Sequence, residues 1–564
     1  MALPQIILFA ASLLFPVMLC CQEIDPNQNL QSHIAYLMHT GDLVKALRAY
    51  QEYSKQNQSH DVELLNRIGL ALLDQGYRSR DPEVQVLTLF GAAISLNDQA
   101  LYILEDAVNS DNPQIQLIAL NFLARYHNDR ADTALHKALS SNFLLIRFEA
   151  ALHLATLKDK NAVHQTEALR IKLPDAIWPL FPQIYGLIGT PEAKKILRKL
   201  ASHPNELVRI ATVISIAENG HDDLLPIIRR LASHHEPAQQ EACASALGLL
   251  HDDSSTMRLL ELTKSKNPAV ELAALASLYE LGHKEVVPQI QNQALSGSPF
   301  AIYQLGKIQG SEAVLAKIAA NASAQNQVNA ALALLERKDP RSASLLLEIL
   351  LRTPKDLALL EAVSPGKSLK CYRIVPSAQQ NFKDTPTLVE LSLHNREQIL
   401  AKAVELPEEL FIKIADAIFE TQQNDLVPAL VAILENHRTP KVIDLLKKHQ
   451  QKAGAPLVRN YCNLSLFRLK EEGPYADNLN TWVSQQQNID LIRFRPLLSA
   501  ENRDTQAVQY ELTPQETSRL LVEAFESFAQ TQDDKAIDLL ISVIHQGNAK
   551  NKYALIGLLM RAIQ

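Results

Sequence analysis

The chain has 564 residues, only 5% of them aromatic, and a net charge of −7 from 55 basic and 62 acidic residues spread along its length. One globular core does not grow to that size, and the lack of any block of Lys and Arg argues against a nucleic-acid ligand. Ala and Leu recur throughout, Gly is scarce at 17, and many of the 27 prolines fall where a helix should begin, so an all-α chain is expected rather than a sheet protein.

Ile6 to Leu19 is an uncharged apolar run of 14 residues. As a helix it would reach about 21 Å, short of the roughly 30 Å bilayer core, which suits the h-region of a signal peptide better than a membrane anchor. Cys20 and Cys21 close the run and are candidate lipidation sites of a bacterial lipoprotein. Val17-Met18-Leu19 lacks the small residue such signals place before the cysteine, and Met1 to Gln5 has no Lys or Arg, so ordinary signal-peptidase cleavage stays open beside lipidation. Residues 1–21 are therefore read as a signal peptide or lipoprotein signal. The protein is expected to be exported to the periplasm or cell envelope. Its only membrane contact would be an N-terminal lipid or an uncleaved signal.

Over 22–80, Gly41-Asp42, Ala46-Leu47 and Tyr50 lie on two short helices and Leu64 to Gly76 makes another. This segment resembles a tetratricopeptide pair. A regular array follows over 81–311. Pro82, Pro113, Pro237, Pro268 and Pro299 each precede a helical run, and their separations are multiples of 31; the same step passes through Leu144, Asp175 and Glu206. Two residues past each marker stand Val84, Ile115, Ile146, Ile177, Val208, Gln239, Val270 and Ala301. Eleven past it stand Ala93, Ala124, Ala155, Gly186, Ala217, Gly248, Tyr279 and Gly310. A unit of that length holds two helices and two tight turns, and neither helix can bury both faces alone, so the units must stack. The fold class is an α-solenoid, an alpha-alpha superhelix of stacked antiparallel helix pairs with a 31-residue period.

Leu207-Val208-Arg209-Ile210-Ala211, Pro237 through Leu247 and Pro268 through Ala274 carry a resemblance to HEAT repeats, in the short form similar to phycobilisome-lyase-type repeats. Pro456 through Leu466 repeats the match far downstream. The resemblance implies an α-solenoid and, more loosely, a scaffold, an adaptor or an enzyme subunit.

Irregular helical repeats are expected over 312–363. With three prolines, Gly366 and no helical period, 364–386 reads as a loop or linker, and helices resume over 387–564. A solenoid usually ends in a polar cap, yet the last run, Tyr553 to Ile563, is apolar and is expected to pack back on its neighbour.

Catalytic chemistry is thin. Pro365-Gly366-Lys367-Ser368 lacks the earlier Gly of a phosphate-binding loop, Glu361 standing there instead. His203, His234 and His235 read as surface turn residues, and Asp222-Asp223 and Asp252-Asp253 as helix caps. The cysteines show no metal-binding spacing. No catalytic, cofactor or metal site is assigned. Trp178, among Pro179 and Pro182, is a candidate partner contact. So are Lys370, Tyr372, Arg373 and Phe382 in the 364–386 segment, since long insertions in compact repeats are often functional. The expected role is a scaffold or adaptor binding other proteins at a bacterial cell envelope, without catalysis, cofactor or nucleic acid. The alternative is a HEAT-repeat enzyme subunit resembling a phycobilin-type chromophore lyase.

Overall fold

The computed structural model describes residues 26–126, 128–352, 357–376, 386–452, 454–485, 490–495, 497, 512–531 and 534–564. The signal-like run and Cys20, Cys21 lie outside the described residues, as does Phe382. Among the described residues no helix is long and apolar enough to cross a membrane.

The chain forms two compact units, one ending at Ala71 and the other running from Leu72 to Gln564. In the first, Pro26–His39 packs on Leu43–Asn57 across a tight turn at Gly41, where φ is +80° and a side chain would be strained. Ala46, Leu47 and Tyr50 of the second helix are fully buried, and the Tyr50 hydroxyl donates to the Asp61 carbonyl at 3.2 Å.

In the second unit helices alternate between two layers. The inner layer contains helices starting at Pro82, Pro113, Leu144, Phe181 (after a 3₁₀ turn from Asp175), Glu206, Pro237, Pro268 and Pro299. Local chemistry explains the starts. Asp81 and Asn112 accept the backbone N–H two residues on, and Asn267 does so as well, each followed by Pro at the first helical position. Inner helices are covered all round: in Pro82–Ile94 every residue from Leu87 to Ala93 is buried. Outer helices bury one stripe, as Pro191–Leu200 does with Ala193, Leu197 and Leu200. The marker-plus-two column is buried except at Ile177, and Gln239 pairs there with Arg209 Nε at 2.6 Å and with the Leu231 carbonyl at 3.1 Å.

Inner helices continue with Ala324–Glu336, Pro386–Ala403, Val427–Asn436, Pro456–Arg468, Glu516–Ala529 and Lys552–Ala562. The array does not end in a cap. Lys552–Ala562 packs on Glu516–Ala529 and also on Pro82–Ile94, so the second unit closes into a ring. Gly91 and Gly557 touch at the joint: a Cβ on Gly557 would lie 2.7 Å from the Gly91 Cα. Lys550 reaches back to Asp81 at 2.7 Å and Glu83 at 2.6 Å, and the Gln564 amide donates to the Ser95 carbonyl at 3.1 Å. The apolar C-terminal helix is thus the seam of a closed array, which is why it carries no polar outer face.

The segment expected as irregular helix running into a loop is different. Leu357–Val363 (β1) and Lys370–Pro376 (β2) form an antiparallel hairpin, in the register Leu357↔Pro376 to Val363↔Lys370. Its strands are extended because the inner helices supply partners for both outer edges, as described next.

Candidate protein-binding face

The hairpin lies against the inner layer, gripped at three places. On the β2 edge, Asn329 accepts the Tyr372 N–H at 2.8 Å and donates to the Tyr372 carbonyl at 2.8 Å. Gln325, one turn earlier on the same helix, accepts the Ile374 N–H at 2.8 Å and also donates to the Tyr372 carbonyl. On the β1 edge, Ser392 accepts the Leu359 N–H at 3.0 Å and Asn395 donates to the Leu359 carbonyl at 2.9 Å. At the tip, the buried Glu241 carboxylate accepts the Gly366 N–H at 3.0 Å, the Ser368 hydroxyl at 2.7 Å and the Ser364 hydroxyl. The Pro365-Gly366-Lys367-Ser368 sequence is therefore a hairpin turn whose donors are taken up by a carboxylate of the chain itself rather than by a phosphate.

These contacts change the standing of the predicted residues. Lys370 is bound within the molecule, 3.4 Å from Glu361, and Tyr372 has its main chain gripped and its ring half-buried. Burial, followed by the nearby Glu361, pushes the Tyr372 phenol well above its usual range. Only Arg373 among the described loop candidates is exposed. Trp178 is not a free anchor either. Its Nε1–H donates to the Leu173 carbonyl at 3.1 Å, and its ring lies 4.6 Å from the Arg170 guanidinium and 5.2 Å from the His203 ring. Pro179 within the 3₁₀ turn Asp175–Leu180 removes a backbone donor there, and Trp178 beside it is half-buried.

Nor do the aspartates act as expected. Asp223 pairs with Lys194 at 2.6 Å, and Asp252 accepts both arms of Arg229 at 2.8 and 2.6 Å and the Ser254 hydroxyl at 2.7 Å. Asp252 makes no side-chain cap bond to the backbone; its role is to tie one outer helix to the next turn.

Sequence reasoning missed Glu241, Gln325, Asn329, Ser392 and Asn395. A signal was present for two of them: Glu241 and Asn329 each stand directly before a run of small and apolar residues (Ala242 to Ala244, Ala330 to Leu335), and a polar residue buried there needs a partner. Asp416, Glu420 and His449 approach one another closely enough to hold a metal. Lys448, 2.7 Å from Asp416, and Lys452 on Glu420 already supply the positive charge, so the cluster reads as a structural ion-pair group. Farther round the ring the inner helices are joined by buried charge. Arg396, 1% exposed, donates to Asp425 at 3.1 Å and to the Leu350 carbonyl. Arg495 sits among Glu390, Glu397 and Glu516 at 3.7, 3.4 and 3.0 Å.

No family model matches the sequence, and no curated protein matches it. Among solved structures, the karyopherin Kap121p bound to the extreme C-terminus of the protein phosphatase Cdc14p is similar over 94% of this chain and 63% of its own, at 12% identity and a TM-score of 0.39. Kap121p bound to Ste12p is similar over 92% and 64%, at 13% identity and a TM-score of 0.35. UNC-45 from Drosophila melanogaster follows, over 94% and 87%, at 11% identity and a TM-score of 0.29. The chain thus spans under two thirds of the karyopherin's length.

Proposed function

We propose that this chain is an exported, non-catalytic scaffold of a bacterial cell envelope whose inner face holds extended segments of partner proteins. The grip of Gln325, Asn329, Ser392 and Asn395 on the main chain of the hairpin carries the reading. Side-chain amides and hydroxyls that bond backbone groups hold an extended strand largely independently of its side chains, as sheet-edge pairing does. Export rests on the apolar run before Cys20 and Cys21. The closer kinship proposed is to short HEAT repeats of phycobilisome-lyase type, with a tetratricopeptide-like segment ahead of them. Against an enzymatic role, Cys243 and Cys462 are buried with thiols pushed far above the usual range, and burial pushes Cys371 up to about 11, so none of these three is poised as a nucleophile.

Site-specific photocrosslinking in cells tests the scaffold reading. A crosslinker at Arg373, on the hairpin, should capture a discrete partner, whereas one at Met257, exposed on an outer helix, should not. Equal capture at both places would sink the inner face as the binding surface. Fractionation with mass analysis of the mature N-terminus tests export: full-length chain in the cytosol would overturn it, and a lipid mass on Cys20 or Cys21 would fix the anchor.

A further inference from the structure

The turns that lead from outer to inner helices stack into one edge of the second unit. Contacts pass from turn to turn along it. The Trp178 ring lies 5.2 Å from the His203 ring, Arg230 donates to the Ser202 hydroxyl at 3.1 Å, and Arg258 donates to the Ala232 carbonyl at 2.6 Å. Five consecutive outer helices bring exposed cations to this edge: Lys137, Lys172, Lys199, Arg230, and the pair Lys264 and Lys266. Because they come from different repeats, no basic run appears in the sequence.

Neighbouring cations are already spent. Arg170 is bound to Glu167, Lys194 and Arg198 to Asp223, Arg209 to Glu236, Arg229 to Asp252, and Arg258 to Glu261. Among the described residues no carboxylate forms an ion pair with the six, and Lys199 acts on Glu167 only at longer range. Asp175, Glu206 and Glu271 are the acidic residues left over on the same stretch, which Asp111 bounds at the preceding turn. The opposite edge carries Asp222, Asp223 and Asp253, so the charge is distributed unevenly between the two. A cation in the last turn of a helix complements its dipole, but Lys264 and Lys266 lie past the end of Thr256–Leu262. Dipole complement also leaves the apolar side chains of this edge unexplained. Ile171 is 70% exposed, Leu207 49% and Leu295 47%, placed between and beside the cations.

We propose that this edge docks on an anionic lipid surface, with its cations at the headgroups and Ile171, Leu207 and Leu295 entering the upper acyl region. The joints set the cations about 10 Å apart, roughly a Debye length at 0.1 M salt. A small anion meets one of them, whereas an extended anionic surface meets all. The exposed aliphatic side chains favour lipid over a nucleic-acid duplex, whose phosphates give them no apolar contact. The edge lies apart from the gripped hairpin and does not rest on the scaffold reading. It also differs from an N-terminal anchor: Met1 to Gln22 has no charged side chain and cannot distinguish anionic from neutral lipid.

Sedimentation of the full chain with vesicles of phosphatidylglycerol and phosphatidylcholine in equal parts, against pure phosphatidylcholine, tests the proposal. Expected is binding at least tenfold tighter to the anionic vesicles, weakening as salt is raised. Lys199→Gln with Arg230→Gln should lose about 25-fold, about fivefold for each charge. Ile171→Ser should lose about fivefold, the partial burial of one aliphatic side chain. Lys284→Gln, exposed at the opposite edge, should change nothing. All four positions are exposed, and circular dichroism checks that the variants keep their helix content. Equal binding to neutral vesicles would assign the contact to the N-terminal run and overturn the proposal. So would a double variant that binds like the parent, or a DNA duplex bound more tightly than the vesicles with Ile171→Ser without effect.

Discussion

Between Pro82 and Gly310 the inner helices meet through small residues and buried hydroxyls, whereas from Pro386 onward they meet through guanidinium–carboxylate pairs. In the first arc Ser215 donates to the Pro182 carbonyl at 2.7 Å and Ser277 to the Ala244 carbonyl at 2.8 Å, each across one joint. In the second, Arg396, Arg468, Arg495 and Arg561 pair with carboxylates across the joints or in the connections between helices. Small-residue joints desolvate little, and they tolerate no added bulk. Charged joints tolerate bulk and depend on every partner being present. The two arcs should therefore fail under opposite substitutions.

The largest effect is expected in the charged arc. Asp425→Ala leaves Arg396 buried without its carboxylate and should cost about 3 to 5 kcal/mol in chemical denaturation. Adding Arg396→Met should recover most of that loss, since an apolar side chain of similar length needs no partner. A double variant as unstable as the single one would break the comparison. In the small-residue arc, Gly248→Leu should overpack the joint against Ser277 and cost about 1 to 3 kcal/mol. The hairpin belongs to neither arc. Asn329→Leu strips the Tyr372 N–H of its partner and one donor from its carbonyl, a loss of about 1 to 2 kcal/mol. Amide exchange should show it as faster exchange confined to β1 and β2.

The smallest effect concerns pH. Hydrogen bonds from Arg229 hold the Asp252 carboxyl well below its usual range. The folded value lies under the unfolded one, near 4, so this contribution is present above about pH 4 and fades as pH falls toward the folded value. Arg229 is 43% exposed, and solvent screening keeps the contribution below about 1 kcal/mol. Asp252→Asn should flatten the acid limb of the stability curve slightly and leave neutral pH nearly unchanged apart from the lost pair.

What was legible in the sequence tracks what repeats. The markers Pro82, Pro113, Pro268 and Pro299 show because a capping Asp, Asn or Ser followed by Pro starts each of those four helices, and the column from Val84 to Ala301 shows because that position is buried at every marker but Ile177. The hairpin does not repeat, and its first strand misleads. Leu-Ala-Leu-Leu-Glu-Ala-Val over 357–363 is built largely of strong helix formers. It is extended because β2 takes one edge and Ser392 with Asn395 serve the other, contacts made by residues more than thirty positions away. The partner faces of Arg396 and Asp425 follow no period, so nothing local announced that joint. Trp178 interrupts the marker column in the sequence, but its contacts with Arg170 and His203 depend on the packing of adjacent units.

Closure of the array alters how it can come apart. An open stack frays: its terminal unit is held by one interface, and each loss exposes the next. With Lys552–Ala562 lying on Pro82–Ile94, the first and the last inner helices of the ring each have a neighbour on both sides. Detaching either of them then requires two interfaces to break together, so partial unfolding has no preferred starting end, and disassembly becomes more nearly all-or-none than in a linear stack of the same units.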